Sequence, residues 1–197
     1  MPHHTVAHKR NPEVALDERD EPGLSGGEDD PPPVPPECPT PSEFTIVVAD
    51  DLSLAPDMAW LGNHLTQALS HISGEHPVLH LDISIVGDEA MITLHAQHQG
   101  IEETTDVLTF PMSEPGEEVE ISLMICADEA KRQAERRGHA IEKELLLYII
   151  HGVLHCLGFD DHNDKDFQRI HAEEDRILEA IGVGRVFAGD EMGDEAV

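Results

Sequence analysis

Basic residues, cysteines and long apolar runs are all scarce in this chain of 197 residues. Its 12 Lys and Arg face 41 Asp and Glu, a net charge of −29 that repels nucleic acid unless a local basic patch or a bound metal compensates. The three cysteines (Cys38, Cys126 and Cys156) are odd in number and widely spaced, which favours reduced thiols in a cytoplasmic protein over a disulfide framework. No stretch approaches the roughly 18 apolar residues of a membrane span, and the N-terminus shows no apolar signal region. We therefore expect neither a membrane protein nor a secreted one.

Composition divides the chain into three parts. Residues 1–43 are rich in proline and acidic residues and cannot bury enough apolar surface to offset the entropy of ordering, so we expect a disordered extension. Residues 44–184 carry mixed apolar patterns typical of one folded domain. Residues 185–197 form an acidic tail.

Apolar periodicity predicts the elements of the central domain. Alternation, as in Leu81, Ile83 and Ile85, predicts strands, and spacing of three and four residues predicts helices. We expect strands at 44–49, 80–86, 106–110 and 119–126 and helices at 56–72, 88–98, 128–137, 141–157 and 165–181, with Asp88 capping the second helix. The helix at 141–157 is apolar nearly all round and should be buried. The pattern predicts an α/β (α+β) domain with a small mixed sheet packed around this central helix.

The central helix ends in a run of potential metal ligands, residues 151–162 (HGVLHCLGFDDH). His151 and His155 are four residues apart, so a helix places both imidazoles on one face. Gly158 can end the helix in a left-handed conformation, after which Asp161 or His162 can return as a third ligand. Three protein ligands leave a coordination position open, which is typical of catalytic zinc sites. Spacing slightly favours Asp161, and His162 stays open.

Two other features of this run bear on the chemistry. Asp160, or whichever of its neighbours is not a ligand, could orient the attacking water, whereas recruitment of Asp160 as a fourth ligand would give a closed, structural site. Gly152 occupies the position that holds the glutamate base in His-Glu-x-x-His peptidases, which argues against a metallopeptidase. Close approach of substrate and tight helix packing both explain a glycine there.

Two motifs together resemble the YbeY family. The stretch Thr105-Asp106-Val107-Leu108-Thr109-Phe110-Pro111 matches one family signature, and residues 151–160 match the other. The resemblance covers about residues 44–184 and implies a metal-dependent endoribonuclease that acts on single-stranded RNA in 16S rRNA 3′-end maturation and ribosome quality control. It also implies one Zn²⁺ per chain, held in a cleft by three histidines, and the small ribosomal subunit as partner. His151 and His155 match the first two ligands; Asp161 stands where the family has its third histidine, and His162 matches after a one-residue insertion.

A second departure from the family is Gln99, which stands where the family usually carries an arginine thought to be important for cleavage. Glutamine can donate a hydrogen bond to a phosphate but brings no charge, so it would stabilise a charged transition state poorly. We expect Gln99, Thr105 and Phe110 to line the cleft. The alternative to an enzyme is a zinc-binding ribosome-assembly factor with weak or no catalysis.

Five basic residues cluster in the sequence at Lys131, Arg132, Arg136, Arg137 and Lys143. They are either an RNA-contacting patch, which the acidic chain would need, or a solvated helix face neutralised by its own acidic neighbours.

Overall fold

The computed structural model describes residues 43–52, 54–72, 78–113 and 119–186. The predicted extension at 1–43 and tail at 185–197 therefore lie almost wholly outside the described residues. All described elements belong to one compact unit, Cys38–Val197. They run in the order β1 (Glu43–Val48), α1 (Met58–His71), β2 (Val78–Val86), α2 (Asp88–Gln99), β3 (Val107–Pro111), β4 (Val119–Cys126), α3 (Ala127–Arg137), α4 (Ile141–Cys156) and α5 (Asp164–Ala180).

The four strands form one mixed sheet in the order β1-β2-β4-β3. β1 and β4 both pair in parallel with β2, whereas β3 lies antiparallel to β4. The alternating residues of β2 and β4 meet in register, with Leu81 opposite Ile121 and Ile83 opposite Leu123. All four side chains are buried, as expected for the core-facing half of a two-residue repeat.

Helix α4 occupies the centre of the domain. It packs against β3, β4 and the helices α1, α3 and α5, and every residue from Glu144 to Ile150 is buried. A helix contacted on so many sides can be apolar on all its faces, which explains the composition of this segment. A second, smaller cluster that includes Met91 of α2 packs with Leu108 and Phe110 of β3. The predicted α/β class, with a small mixed sheet around a buried central helix, is confirmed.

The helix ends follow local chemistry. Asp57 caps α1 by accepting a hydrogen bond from the backbone N–H of Trp60, and Asn163 caps α5 in the same way. Asp88 was expected to cap α2, but that prediction is wrong: the cap residue is Gly87, and the Asp88 side chain instead binds Arg132. Within the described part of the chain, no helix is long and apolar enough to cross a membrane.

Candidate functional site

Helix α4 brings two imidazoles together. His151 and His155 are both half-buried, and their rings meet edge to face with centroids 4.4 Å apart. Their Nε2 atoms lie 2.9 Å from each other. As predicted from their spacing of four residues, both imidazoles lie on one face of α4, and one nitrogen of each ring points at the same place.

The remaining nitrogen of each ring is held by an acceptor. His151 Nδ1 donates to Glu174 Oε1 at 2.6 Å, and His155 Nδ1 donates to the carbonyl oxygen of Phe159 at 3.1 Å. Because a carboxylate and a carbonyl can only accept, both Nδ1 atoms carry the proton and both Nε2 atoms present lone pairs. Two lone pairs facing each other at this distance repel unless one ring carries a second proton that it donates to the other, or a metal ion lies between them. The donor set therefore fits a metal ion held by neutral imidazoles.

The loop after α4 supplies the third candidate ligand. Gly158 adopts a left-handed conformation (φ 90°), as the sequence predicted, and the chain turns back toward the helix. Asp161 Oδ2 comes within 3.8 Å of His155 Nε2. The potential ligand atoms of His151, His155 and Asp161 all lie within 4.8 Å of one another. These three residues are the set that the fold brings together.

His162 belongs to a different group. Its side chain is 82% exposed, and its Nδ1 donates to Asp160 Oδ1. A second potential ligand set consists of Asp160, Asp161 and His162, without either helix histidine. The geometry thus favours Asp161 over His162 as the partner of the two imidazoles.

Two cavities meet at this centre. The larger, of about 600 Å³, contains Gln99 and is named here the Gln99 lobe; the smaller, of about 420 Å³, contains Phe167 and is named the Phe167 lobe. Both are lined by Asp106, His151 and Asp161. The candidate metal centre therefore lies where the two lobes of one cleft join.

The predicted cleft residues are distributed unevenly. Gln99 and Thr105 line the Gln99 lobe and the Phe167 lobe respectively. Phe110 lines neither and instead packs edge-on against His98, so its predicted place in the cleft is wrong. Asp160 also lines neither lobe, and its Oδ1 accepts from the backbone N–H of Asp161. Cys156 is half-buried: it packs against the core and also borders the Gln99 lobe.

Glu174 is a functional candidate that sequence reasoning missed. Its side chain is 0% exposed, and its two carboxylate oxygens accept from His151 and, at 2.7 Å, from His171 Nδ1. Burial alone would raise the pKa of Glu174, but the hydrogen bonds from the two histidines outweigh it and hold the pKa below its usual value. Burial likewise disfavours the charged form of His151, yet the bond to Glu174 raises its pKa overall. The available signal was a His-x-x-Glu pair on the amphipathic helix α5.

Asp106 is the second residue without a predicted role. It lies immediately before β3 and borders both lobes. Its Oδ1 accepts from the Thr105 hydroxyl at 3.0 Å and from the Val107 N–H at 2.8 Å, which fixes the carboxylate at the middle of the cleft. The motif that contains Asp106 was visible in the sequence, but its position opposite α4 was not.

Gly152 is explained by packing. A Cβ atom at this position would lie 2.8 Å from Leu123 Cδ2 and 3.1 Å from Thr109 Cγ2. The residue faces the sheet, so of the two explanations for this glycine the structure supports close packing of α4 on β3 and β4.

The predicted basic patch is largely engaged inside the protein. Arg132 binds Asp88 and Glu129, and Arg137 binds the buried Glu144 at 2.9 Å. Lys143 donates to the carbonyl oxygen of Arg185. Most of this positive charge is therefore balanced locally, which favours the neutralised helix face over an RNA-contacting patch.

Known sequences match this chain over most of the described domain. A family model described as "Endoribonuclease YbeY" matches residues 51–182. An endoribonuclease YbeY from Leifsonia xyli is 37% identical over 151 residues, which cover 72% of this chain and 92% of the relative. Another, from Wolinella succinogenes, is 41% identical over 95 residues, or 48% of this chain and 67% of the relative.

Among solved structures, the solution structure of a Thermotoga maritima protein overlaps with a TM-score of 0.47 at 21% identity, covering 79% of this chain and 100% of that one. The sequence matches, rather than this overlap, carry the relationship.

Proposed function

The chain belongs to the YbeY endoribonuclease family, and from that membership and the paired imidazoles of α4 we propose that it is a zinc-dependent endoribonuclease that cleaves single-stranded RNA. The observation that carries the proposal is the 2.9 Å approach of the two Nε2 atoms, each on a ring whose other nitrogen is already bonded. Such a pair supplies two of the three protein ligands of a catalytic zinc site.

In this proposal His151, His155 and Asp161 hold one Zn²⁺. When bound, the ion supplies Lewis-acid polarisation of a phosphate oxygen and activation of water. Glu174 and the Phe159 carbonyl keep both imidazoles in the coordinating tautomer. His162 remains the alternative third ligand.

Three further residues act on the substrate. Asp106, fixed at the junction of the two lobes, accepts the proton of the attacking water, with Asp160 as the alternative. Gln99 donates an amide N–H to a phosphate oxygen in the Gln99 lobe. An amide stabilises a developing negative charge less than a guanidinium does, so cleavage should be slower than with arginine at this position.

The finer role follows from the family resemblance. We propose that the substrate is the precursor of 16S rRNA, cleaved near its 3′ end in maturation and in ribosome quality control. The small ribosomal subunit is then the partner, and the cytoplasm is the place of action.

The test is cleavage of a labelled single-stranded RNA by the purified, zinc-loaded full chain, with and without chelator. We expect cleavage that the chelator abolishes and that His155→Ala removes. His80→Ala is the matched control, because His80 is an exposed histidine on β2 away from the cleft. Absence of RNA cleavage by the zinc-loaded wild type would refute the proposal. If the same protein digested casein, a peptidase would be indicated instead.

One other function has an observation in its favour, namely a zinc-binding assembly factor with little catalysis. Gln99 motivates it, because the charge that the family places there is missing. Gln99→Arg discriminates between the two: a large gain in cleavage indicates a weakened enzyme, whereas an unchanged rate, with zinc still bound, indicates the binding role.

A further inference from the structure

Phe167 is a large apolar side chain on the rim of the cleft. It lies in the first turn of α5, and 49% of it is exposed to solvent. It lines the Phe167 lobe, which shares Asp106, His151 and Asp161 with the Gln99 lobe. Single exposed apolar side chains are common, but this one lines a cavity beside the candidate metal centre, where it is available to contact a substrate.

The position of the Phe167 ring is supported by its neighbours. It meets the His171 ring edge to face with centroids 4.1 Å apart, and His171 is in turn held by the buried Glu174 at 2.7 Å. The His171 ring lies nearly parallel to that of His151, with centroids 6.2 Å apart. The Phe167 ring is therefore linked to the candidate metal ligand His151 through one intervening ring, that of His171.

The side chains that distinguish the Phe167 lobe indicate the kind of group that can bind there. Asp106 and Asp161 line both lobes, and Glu129 of the Phe167 lobe is paired with Arg132, so charge does not separate the two. The Phe167 lobe alone of the two has the apolar and ring surface of Leu147, Tyr148 and Phe167, which suits a neutral planar group. Gln133 and Thr104 add polar atoms suited to the edge of a base.

We propose that the Phe167 lobe is a base-binding subsite in which Phe167 stacks on one nucleobase of single-stranded RNA next to the scissile phosphate. The inference rests on the proposed function, because it takes the substrate to be RNA. The volume of the Phe167 lobe, about 420 Å³, lies within the range of small-molecule sites. Stacking on an aromatic side chain is a common means of holding unpaired bases without sequence preference.

The test compares RNA with and without bases. Affinities of the full chain are measured, in chelator to prevent hydrolysis, for a fluorescent oligoadenylate and for an abasic ribose-phosphate oligomer of the same length. We expect Phe167→Ala to weaken oligoadenylate binding about tenfold and to leave the abasic oligomer nearly unaffected. Phe167→Trp should retain wild-type affinity. Val47→Ala is the control, since Val47 is 57% exposed on β1 and lines neither lobe.

Salt provides a second readout. Stacking releases no counterions, so the tenfold loss should be the same at low and at high salt. In cleavage assays Phe167→Ala should raise KM and leave kcat nearly unchanged. All variants should keep the thermal midpoint of the wild type, because the substituted side chains are exposed.

The inference is overturned if Phe167→Ala binds oligoadenylate as the wild type does, or if it loses the same affinity for the abasic oligomer. Either result with normal cleavage by the wild type refutes the subsite and leaves the nuclease intact. Conversely, base-dependent binding through Phe167 without any cleavage by the zinc-loaded wild type supports the subsite and refutes the proposed catalysis.

Discussion

Glu174→Gln tests whether the buried carboxylate on α5 prepares His151 to bind metal. In the wild type both oxygens of Glu174 accept hydrogen bonds, one from His151 and one from His171. A glutamine has one acceptor and one donor in nearly the same shape. If its amide N–H₂ faces His151, then Nδ1 must become the acceptor, the proton moves to Nε2, and the ring can no longer coordinate.

The expected magnitude follows from the hydrogen bond that is weakened. A bond between an imidazole N–H and a buried carboxylate contributes about 3 kcal/mol at most, and a neutral acceptor provides about half of that. The loss of about 1.5 kcal/mol corresponds to roughly tenfold weaker zinc binding, and enforcement of the wrong tautomer extends it toward 100-fold.

The assay is competition for Zn²⁺ between the protein and a chromophoric chelator. It is best run at about pH 8, because Glu174 also raises the pKa of His151 and lower pH would add competition from protons. Glu173→Gln is the matched control: it removes the same charge from the adjacent position of α5, where the carboxylate binds Arg176. Equal zinc affinities for the wild type and both variants would refute the role given to Glu174.

Three other substitutions test the remaining parts of the site and fold. Asp161→Ala should weaken zinc binding by about 100-fold or more whereas His162→Ala should change it little, and the reverse result in the same competition assay would make His162 the third ligand. Gly152→Ala gains about 1 kcal/mol of helix propensity but forces overlaps that cost about 1–3 kcal/mol, so urea denaturation should show a net loss of about 1 kcal/mol, and an unchanged midpoint would contradict the close packing. The hydrogen bonds from Arg132 lower the pKa of Asp88 from 3.8 to about 2, so this carboxylate stabilises the fold above pH 4 and loses the effect as the pH falls toward 2. Asp88→Asn should therefore lower the free energy of unfolding at neutral pH, by about 1 kcal/mol after allowance for solvent screening, and a difference from the wild type that does not shrink below pH 4 would exclude this origin.

The elements of the fold could be predicted because their patterns are local. The alternation of Leu81, Ile83 and Ile85 specifies a strand with one buried face, and α4 has the length and apolar content of a buried helix. The antiparallel placement of β3 at the sheet edge depends on pairing with β4, which no local pattern encodes. Phe110 shows the consequence: its motif was recognised, but its side chain faces His98 rather than the cleft.

The candidate site divides along the same line. Two histidines four apart, followed by a glycine and an aspartate, lie within one helix and one loop, so their convergence could be predicted from spacing. Glu174 is 23 residues beyond His151 and meets it only because α5 packs on α4. Likewise, the local sequence predicts a helix cap at Asp88, whereas its side chain binds Arg132, which is 44 residues away in the chain. Contacts between elements carried the information that the sequence did not.

The acidic composition is compatible with an RNA substrate only if the cleft binds RNA by means other than surface charge. The chain carries a net charge of −29, and its most prominent basic cluster is largely balanced by internal partners such as Asp88 and Glu144. Under the proposed function the cleft offers such means: a metal ion held by the imidazoles would bring positive charge to the phosphate, Gln99 would donate to it, and the Phe167 ring would bind bases regardless of charge. Of these, the Phe167 ring would act on single strands only, because paired bases are not available for stacking. We therefore expect a preference for unpaired RNA, since the acidic surface repels the phosphates of paired and unpaired strands and only the unpaired strand gains the contact with Phe167.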